Sequence, residues 1–147
     1  MTIFRKPSEP QVMKLLTESQ LPTADLSAAN LEHFFWCGTA QTPEGVVGLE
    51  IYDTVALLRS LAVATACRGS GCGKALVAEV ERYAQSKGVQ EVYLLTTTAE
   101  RFFERLGYSR SARDGAPEAI RQTKEFSSLC PSSSAFMVKD LRGVACE

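Results

Sequence analysis

Glycine and basic residues are concentrated in one short segment of this chain, residues 68–74, in an order that suits phosphate binding. The segment reads Arg-Gly-Ser-Gly-Cys-Gly-Lys. It follows an apolar run, Val55–Val63, that predicts a buried strand, and it precedes apolar residues at helical spacing up to Ala84. A glycine-rich turn from strand to helix exposes backbone N–H groups at the positive end of the helix dipole, and Arg68 and Lys74 add charge. The segment therefore predicts an anion-binding site.

Two common phosphate-binding patterns do not fit this segment. A P-loop needs a glycine where the chain has Arg68, and a serine or threonine hydroxyl for magnesium where it has Ala75. The dinucleotide fingerprint needs a third glycine where Lys74 or Leu76 stands, depending on the register. A glycine-rich turn without a function is the remaining alternative for the segment taken alone.

A third pattern, Arg/Gln-x-x-Gly-x-Gly/Ala, fits the chain as Arg68-x-x-Gly71-x-Gly73. The segment thereby resembles the loop that binds the pyrophosphate of coenzyme A (CoA) in the GNAT acetyltransferases. A second segment, Ala99–Tyr108, resembles the other GNAT hallmark, a short helix with paired aromatic residues followed by glycine and another aromatic residue. The resemblance extends over residues 44–141, and by it the chain is identified as a member of the GNAT superfamily.

Size and composition exclude several other classes of protein. A length of 147 residues, 45% of them hydrophobic and 22% charged, predicts a single domain over residues 1–147 with its own core. A formal net charge of −1 gives no electrostatic basis for binding nucleic acid. No apolar run reaches membrane-spanning length and the N-terminus lacks a signal-peptide pattern, so we expect a cytoplasmic protein without a membrane partner. A homodimer is left open.

The cysteine and histidine content argues against a metal site. The five cysteines form no CxxC pair, and their odd number favours reduced thiols. His33 is the single histidine, which makes a Ser-His-Asp triad improbable and supplies few ligands for zinc. We therefore expect no metal cofactor.

Apolar spacing and turn residues predict the element order β-α-α-β-β-β-α-β-α-β-β. The resemblance implies the GNAT fold, an α/β (α+β) class with a mixed, mostly antiparallel central sheet of six to seven strands, helices on both faces and splayed strands at the acetyl-CoA cleft. Turn and cap residues predict a strand at Thr2–Arg5, a helix after Ser8 and a short helix at Thr23–Asn30. Two strands follow at Glu32–Thr39 and Val46–Tyr52, around a turn at 41–45, and the main helix ends at Lys87-Gly88. The remaining predicted elements are strands at 91–96 and from Tyr108, a long connection at Asp114–Ser134, and a last strand at 135–139.

In GNAT proteins the pantetheine arm of CoA inserts between the strand before the loop and the strand after the main helix. The resemblance implies that the N–H of Val63 lies near the thioester carbonyl, where it stabilises the developing oxyanion by about 3 kcal/mol. The cofactor-binding residues implied in this way are Leu61, Ala62, Val63, Arg68, Gly69, Ser70, Gly71, Cys72, Gly73, Lys74, Thr96, Phe102 and Phe103.

Because CoA already activates the acetyl group, the protein has to align an amine with the thioester and remove a proton. Glu50 is the candidate general base, since its apolar neighbours place it on a strand beside the central one. A solvated or ion-paired glutamate is the alternative for this residue. Asp53, Glu32 and His33 are weaker candidates.

Two residues depart from the GNAT pattern. Phe103 stands where the family commonly has a tyrosine that protonates the leaving thiolate, and Thr96 stands where an asparagine is often found. CoA thiolate is a tolerable leaving group without that tyrosine, because a thiol pKa lies near ~8.5. We therefore expect activity without an acid at position 103. If an acid exists elsewhere, the residues to test are Tyr52, Tyr93 and Tyr108.

Arg59 interrupts the apolar run before the loop, and a buried arginine needs a partner. It stands two residues before Leu61, on the same predicted strand face, where it could hold a substrate carboxylate by two hydrogen bonds. Pairing with Glu50 is the structural alternative, and the two residues together could also recognise an amino-acid zwitterion.

The C-terminal part of the chain carries a narrower resemblance. Residues 94–98 and 116–141, with the segment Leu-Cys-Pro-Ser-Ser-Ser, are similar to small arsenic-resistance-associated (ArsN-type) GNAT proteins, which are related to amino-acid N-acetyltransferases. In that group, acetylation of an arsenic-containing glutamate analogue has been associated with resistance. Ser132 is the candidate acceptor residue in this segment, and an ordinary loop is the alternative.

The predicted function is acetyl transfer from acetyl-CoA to the primary amine of a small amino-acid-like molecule. Two alternatives from other classes remain. A regulatory protein that binds acyl-CoA without catalysis would keep the loop, and Phe103 is the best argument for it. A protein or polyamine N-acetyltransferase would need an acidic or extended acceptor groove.

Overall fold

The structure, a computed structural model, describes residues 3–5, 7, 9–18, 21, 23, 28–39, 43–64, 67–69, 71–129 and 134–142. In this part of the chain the strands are β1 (Ile3–Arg5), β2 (Phe34–Gly38), β3 (Pro43–Tyr52), β4 (Val55–Val63), β5 (Glu91–Thr96), β6 (Ser109–Arg110) and β7 (Ala135–Asp140). The α-helices are α1 (Glu9–Glu18), α2 (Cys72–Ser86), α3 (Glu100–Arg105) and α4 (Glu118–Arg121).

The strands form one sheet in the order β1-β2-β3-β4-β5-β7-β6. β4 and β5 are parallel, with pairs from Val55↔Glu91 to Leu57↔Tyr93. The β1–β2, β2–β3, β5–β7 and β6–β7 pairs are antiparallel. β3 and β4 are joined by only two residues, which requires an antiparallel pair. The predicted mixed, mostly antiparallel sheet is thus confirmed, with seven strands in the described residues.

The chain groups into two compact units, residues 1–49 with 58–82, and residues 50–57 with 83–147. The first unit has a core in which α1 contributes Val12, Leu15 and Leu16. Their spacing of three and four residues places them on one helical face, as the sequence predicts. They pack with Leu31, Phe34, Val46 and Ala62. Burial of each large apolar side chain stabilises the fold by about 1.5–3 kcal/mol.

The second unit has its own core, built on β4, β5 and β7 and on the connection between β6 and β7. Tyr93 stacks on Phe136 with ring centroids 5.4 Å apart, and Phe126 meets Phe136 edge-on at 5.4 Å. Ile120 of α4 is fully buried in the same cluster. The long connection predicted at Asp114–Ser134 therefore contains α4 and a π-helical turn at Glu125–Leu129. Its residues Ala116 and Ile120 belong to this core, and Phe126 packs against it.

Two predicted boundaries in the N-terminal third are wrong. A 3-10 turn runs over Ala28–His33, so Glu32 and His33 belong to it rather than to β2. Residues 24–27 of the helix predicted at Thr23–Asn30 lie outside the described part of the chain. β3 begins at Pro43, so the predicted turn residues from Pro43 onward lie in a strand, and residues 41 and 42 lie outside the described part. Gly45 is needed there for packing, because a Cβ atom on it would lie 2.7 Å from the Cys72 sulfur.

The end of the main helix is confirmed. Gly88 has φ +87°, its N–H donates to the Gln85 carbonyl, and the Val89 N–H donates to the Ala84 carbonyl. This pair of bonds is the Schellman arrangement that a glycine after the last helical residue predicts. Among the described residues, none of the helices has the length and apolar character to cross a membrane. The single domain predicted from length stays a prediction.

Candidate active site

The first turn of α2 presents backbone donors that have no acceptor within the helix. The Ala75 N–H donates to the Gly71 carbonyl at 3.0 Å, which is the first hydrogen bond of the helix ladder. The N–H groups of Cys72, Gly73 and Lys74 therefore precede the ladder and have no acceptor within the helix. Together with the helix dipole, these donors favour an anion at this end of α2.

The two glycines before α2 have left-handed backbone conformations. Gly69 has φ +84° and Gly71 has φ +86°. A Cβ atom on either residue would meet nothing within 4 Å, so the fold does not use the space beside them. Glycine is required here by the backbone conformation, and the open space allows a ligand to approach the main chain closely. Ser70, which the sequence analysis also assigned to the cofactor, lies outside the described residues.

Both basic residues of the loop are exposed. Arg68 Nε donates to the carbonyl of Val63 at 3.3 Å, which holds the guanidinium at the end of β4. Lys74 lies in the first turn of α2, with Gly73 half-buried beside it. The charges predicted to support the anion site thus flank the segment that carries the unpaired N–H groups.

The Cys72 side chain turns inward and does not contribute to the exposed surface of the loop. Its Sγ lies 2.8 Å from the Cys37 Sγ, and the residue is 1% exposed. Burial raises the pKa of the Cys72 thiol to about 12, and the contact with Cys37 raises it further in the same direction. Burial also raises the pKa of Cys37. Only the backbone N–H of Cys72 is therefore suited to a phosphate.

β4 is irregular at a position that the sequence analysis did not identify. Ser60 has φ +60°, which is rare for a residue other than glycine and is strained within a strand. Arg59 is 2% exposed, and its Nε donates to the Ser60 hydroxyl at 3.0 Å. A serine beside an arginine in an apolar run was the only sequence signal for this irregularity.

The irregularity corrects one inference about Arg59. The sequence analysis placed Arg59 on the same face as Leu61, which requires regular alternation through residue 60. The left-handed conformation of Ser60 removes that alternation. After it, Leu61 and Val63 are half-buried, while Ala62 is 4% exposed and belongs to the core of the first unit.

Glu50 and Tyr52 form a pair in the second unit. They stand two residues apart on β3, which puts them on one face of the strand. The Tyr52 hydroxyl donates a short hydrogen bond to a carboxylate oxygen of Glu50. The candidate base Glu50 is thus hydrogen-bonded to the phenol of Tyr52, a contact that was not predicted from the sequence. Of the weaker candidates, Asp53 and Glu32 are exposed and His33 is half-buried.

The second motif forms α3 and a small aromatic cluster. Phe102 and Phe103 meet edge-on at 5.1 Å, and Phe103 meets Tyr108 edge-on at 5.6 Å. Phe103 is 5% exposed, so its ring packs in the protein. The Thr96 hydroxyl accepts a hydrogen bond from the Ala99 N–H at 3.0 Å and so helps to start α3. Its O–H proton is still available to another acceptor.

The serine-rich segment is described only at its end. Ser132 lies outside the described residues. The Ser134 hydroxyl is buried and has no hydrogen-bond partner within the described part of the chain. Its carbonyl accepts a hydrogen bond from Arg113 at 3.0 Å. In that same part of the chain, no three His, Cys, Asp or Glu side chains are grouped as metal ligands would be.

Comparison with known proteins identifies the family. The chain matches the family described as "Acetyltransferase (GNAT) family" over residues 3–108. It is 38% identical over 66 residues to an uncharacterised N-acetyltransferase of Chlorobaculum tepidum, a match that covers 45% of this chain and 42% of that protein. The chain therefore spans less than half the length of this curated relative.

Solved structures show the same fold at low sequence identity. The N-acetylglutamate synthase of Neisseria gonorrhoeae, complexed with CoA and N-acetyl-glutamate, superposes with a TM-score of 0.81 and 19% identity over 95% of this chain and 35% of the synthase chain. A Mycobacterium tuberculosis protein in complex with CoA and a ligand named NLQ superposes with a TM-score of 0.80 and 19% identity over 96% of this chain and 99% of that one. With the family match over residues 3–108, the loop and the motif helix establish that this chain belongs to the GNAT acetyltransferase family.

Proposed function

We propose that this chain transfers an acetyl group from acetyl-CoA to the primary amine of a small amino-acid-like acceptor. The proposal depends most on the structure at the start of α2. There, N–H groups without an acceptor in the helix, two left-handed glycines and two exposed basic side chains form an anion site. Membership of the GNAT family supports acetyl-CoA as the molecule whose pyrophosphate binds there.

The loop residues fit this donor. A pyrophosphate carries charge that the helix N-terminus, Arg68 and Lys74 can neutralise, and the space beside Gly69 and Gly71 is open to it. Bound acetyl-CoA supplies an acetyl group already activated as a thioester. In the proposal, the backbone of Leu61 to Val63 bonds the pantetheine arm, and the Val63 N–H stabilises the oxyanion that forms when the amine attacks.

The attacking amine has to lose a proton. An α-amino group has a pKa near ~8, so a carboxylate of ordinary basicity is sufficient as its base. We assign this role to Glu50. The hydrogen bond that the Tyr52 hydroxyl donates to Glu50 orients the carboxylate of this proposed base.

The acceptor is proposed to be a glutamate-like amino acid, including an arsenic-containing analogue of glutamate. A buried guanidinium at Arg59 suits an acceptor carboxylate. Two likenesses support the glutamate class: the ArsN-type resemblance of the C-terminal segment, and the fold shared with a synthase that was solved with N-acetyl-glutamate.

The test is release of CoA from acetyl-CoA in the presence of separate acceptor classes. We expect release with glutamate and its close analogues, and little release with polyamines or with lysine side chains of peptides. Release with polyamines or peptides alone would favour the broader N-acetyltransferase alternative. Binding of acetyl-CoA without release for any amine would favour the regulatory alternative and would overturn the proposal.

A further inference from the structure

Two buried thiols meet at the first turn of α2, and neither has a part in the proposed reaction. The Sγ of Cys37 on β2 lies 2.8 Å from the Sγ of Cys72, the first residue of α2. The two residues are 0% and 1% exposed. The two thiols are therefore in direct contact, and either sulfur can donate its proton to the other.

The neighbouring strand is shaped around these sulfurs. Gly45 of β3 pairs with Cys37 across the β2–β3 ladder. A Cβ atom on Gly45 would lie 2.7 Å from the Cys72 Sγ and 3.3 Å from the Cys37 Sγ. Any larger residue at position 45 would therefore push the sulfurs away. The glycine is the reason that both thiols can occupy one small space, and it is an observation independent of the sulfur–sulfur distance.

We propose that Cys37 and Cys72 are an oxidation site that forms a reversible disulfide when the chain meets a peroxide. A disulfide requires sulfurs 2.03–2.05 Å apart, so the present distance of 2.8 Å has to close by about 0.8 Å. Rotation about the side-chain bonds of the two cysteines can provide this movement. The sequence separation of 35 residues makes the link a tertiary one, between β2 and α2.

The chemistry balances with one peroxide. The reacting thiol first loses its proton, because the thiolate is the nucleophile, and hydrogen peroxide then transfers one oxygen atom to it, so that a sulfenic acid and one water are the products. Since both thiols are buried in the folded chain, this step requires a local opening at the first turn of α2. The second thiol then attacks the sulfenic sulfur, the new S–S bond forms, and a second water leaves. The two cysteines together lose two electrons and two protons. A dithiol reductant reverses the step by thiol–disulfide exchange.

The link stabilises the start of α2 without using its backbone donors. Only the side chain of Cys72 takes part, so its N–H remains available to an anion. Joining residues 37 and 72 lowers the entropy of the unfolded chain, and we expect the melting temperature to rise by about 5–10 °C. Oxidation would thus fix the anion-binding loop to the sheet within the first unit.

The test uses the wild-type chain and needs no acetyl-CoA, so its outcome is independent of the proposed function. The chain is treated with hydrogen peroxide, remaining thiols are alkylated, and the linked peptides are identified by mass spectrometry. We expect a peptide pair that joins Cys37 to Cys72, a higher melting temperature, and reversal of both by dithiothreitol. Cys67→Ser should give the same link, and Cys72→Ser should give none.

A second pair of variants keeps the test decisive if Cys72→Ser does not fold. Gly45→Ala displaces the Cys72 sulfur and the neighbouring Leu76 side chain, which a Cβ would approach to 2.7 Å and 2.9 Å, and it should slow formation of the link several-fold. Gly115→Ala is the matched control, because a Cβ at Gly115 meets nothing within 4 Å. Links made through Cys67, oxidation of Cys72 beyond the sulfenic acid without a link, or equal rates in the two alanine variants would overturn the proposal.

Discussion

Arg59 is the residue on which the proposed acceptor class depends. Its guanidinium is 2% exposed and its Nε is held by the Ser60 hydroxyl, so it is ordered before any substrate binds. A preordered guanidinium loses less entropy when it binds a carboxylate. We therefore propose that Arg59 binds the acceptor and not acetyl-CoA, so its replacement should change the affinity for the acceptor alone.

We predict that Arg59→Met raises the acceptor KM about 10- to 100-fold, the range expected when a charged hydrogen-bonding partner is lost. Affinity for acetyl-CoA should stay within a few-fold of wild type, as measured by calorimetry. Ser60→Gly is the matched control, since it removes the hydroxyl that holds Arg59 but keeps the guanidinium. Equal loss of both affinities in Arg59→Met, or unfolding, would instead indicate a structural ion pair.

In the proposed reaction, Phe103 occupies the position from which a side chain would protonate the leaving sulfur. Its ring packs edge-on against Tyr108 and has no ionisable proton, so this side chain cannot act as a general acid. We predict that kcat rises with pH as the amine or its base loses a proton, and then stays level to about pH 9. Phe103→Tyr should retain activity, because the added hydroxyl does not remove the ring.

A rate that falls above about pH 8.5 in a folded enzyme would show that an acid exists elsewhere. Tyr52 would then be the first residue to change, because its hydroxyl already donates to Glu50. Tyr93 is a weaker candidate, since burial raises its pKa and its ring is part of the second core. Tyr52→Phe should remove the fall if this tyrosine is the acid.

At the scale of elements, the loop and the start of α2 together form the proposed anion site. Strand, glycine turn and helix were predicted from sequence because an apolar run, glycines and helical spacing follow one another directly. The bounds of β4 and β5 agree with the prediction for the same reason. The end of α2 was predicted as well, since a basic residue followed by glycine is a strong stop signal.

We predict that Gly71→Glu abolishes the rise in melting temperature that acetyl-CoA causes in the wild type. Ligand at about 100 times its Kd stabilises a protein by about 2.7 kcal/mol, which corresponds to a rise of about 5 °C or more. The glutamate would place a carboxylate where the pyrophosphate binds. A thermal-shift assay at several concentrations of acetyl-CoA measures the effect.

Gly88→Glu is the control for this variant. Gly88 has φ +87°, nearly the value of Gly71, and a Cβ there also meets nothing within 4 Å. The two substitutions therefore impose similar backbone strain at opposite ends of α2. The Gly88 variant should keep the full ligand-induced rise. If both variants respond to acetyl-CoA as the wild type does, the loop is not the pyrophosphate site.

Other elements could not be predicted because tertiary packing overrides their local signals. Pro43 and Gly45 look like turn residues, yet they lie in β3, and Gly45 is there to leave room for two sulfurs. The Arg59-Ser60 pair in an apolar run does not predict a left-handed serine inside β4, because serine has no preference for that conformation. The Tyr52–Glu50 hydrogen bond was not predicted either, because two residues on one face of a strand need not be bonded to each other.

At the scale of the whole molecule, the buried thiols make the free energy of unfolding depend on pH. The pKa of Cys72 is raised from 9.0 to about 12, and burial raises that of Cys37 in the same direction. The unfolded chain therefore loses these protons at a lower pH than the folded chain. This difference in thiol pKa does not change the free energy of unfolding below about pH 9. It lowers the free energy of unfolding as the pH rises towards 12.

We predict that, under reducing conditions, the free energy of unfolding falls with a slope that approaches about 1.4 kcal/mol per pH unit for one thiol. Urea unfolding between pH 8 and about pH 11 measures it. Cys72→Ala should be less stable at neutral pH, because it leaves a cavity, but its stability should depend less on alkaline pH. If the free energy of unfolding of Cys72→Ala falls with pH as steeply as that of the wild type, Cys72 has the same pKa in the folded and the unfolded chain.

The central claim is that the chain moves an acetyl group from acetyl-CoA to the α-amine of a glutamate-like acceptor. Its most direct test is to incubate the chain with acetyl-CoA labelled in the acetyl group and with glutamate, and to follow the label by NMR. The account predicts that the label appears in an amide on the α-nitrogen, at a rate that Gly71→Glu abolishes and Gly88→Glu preserves. Label that stays on CoA with every amino acid tested, or an equal transfer rate in the two glycine variants, would contradict it.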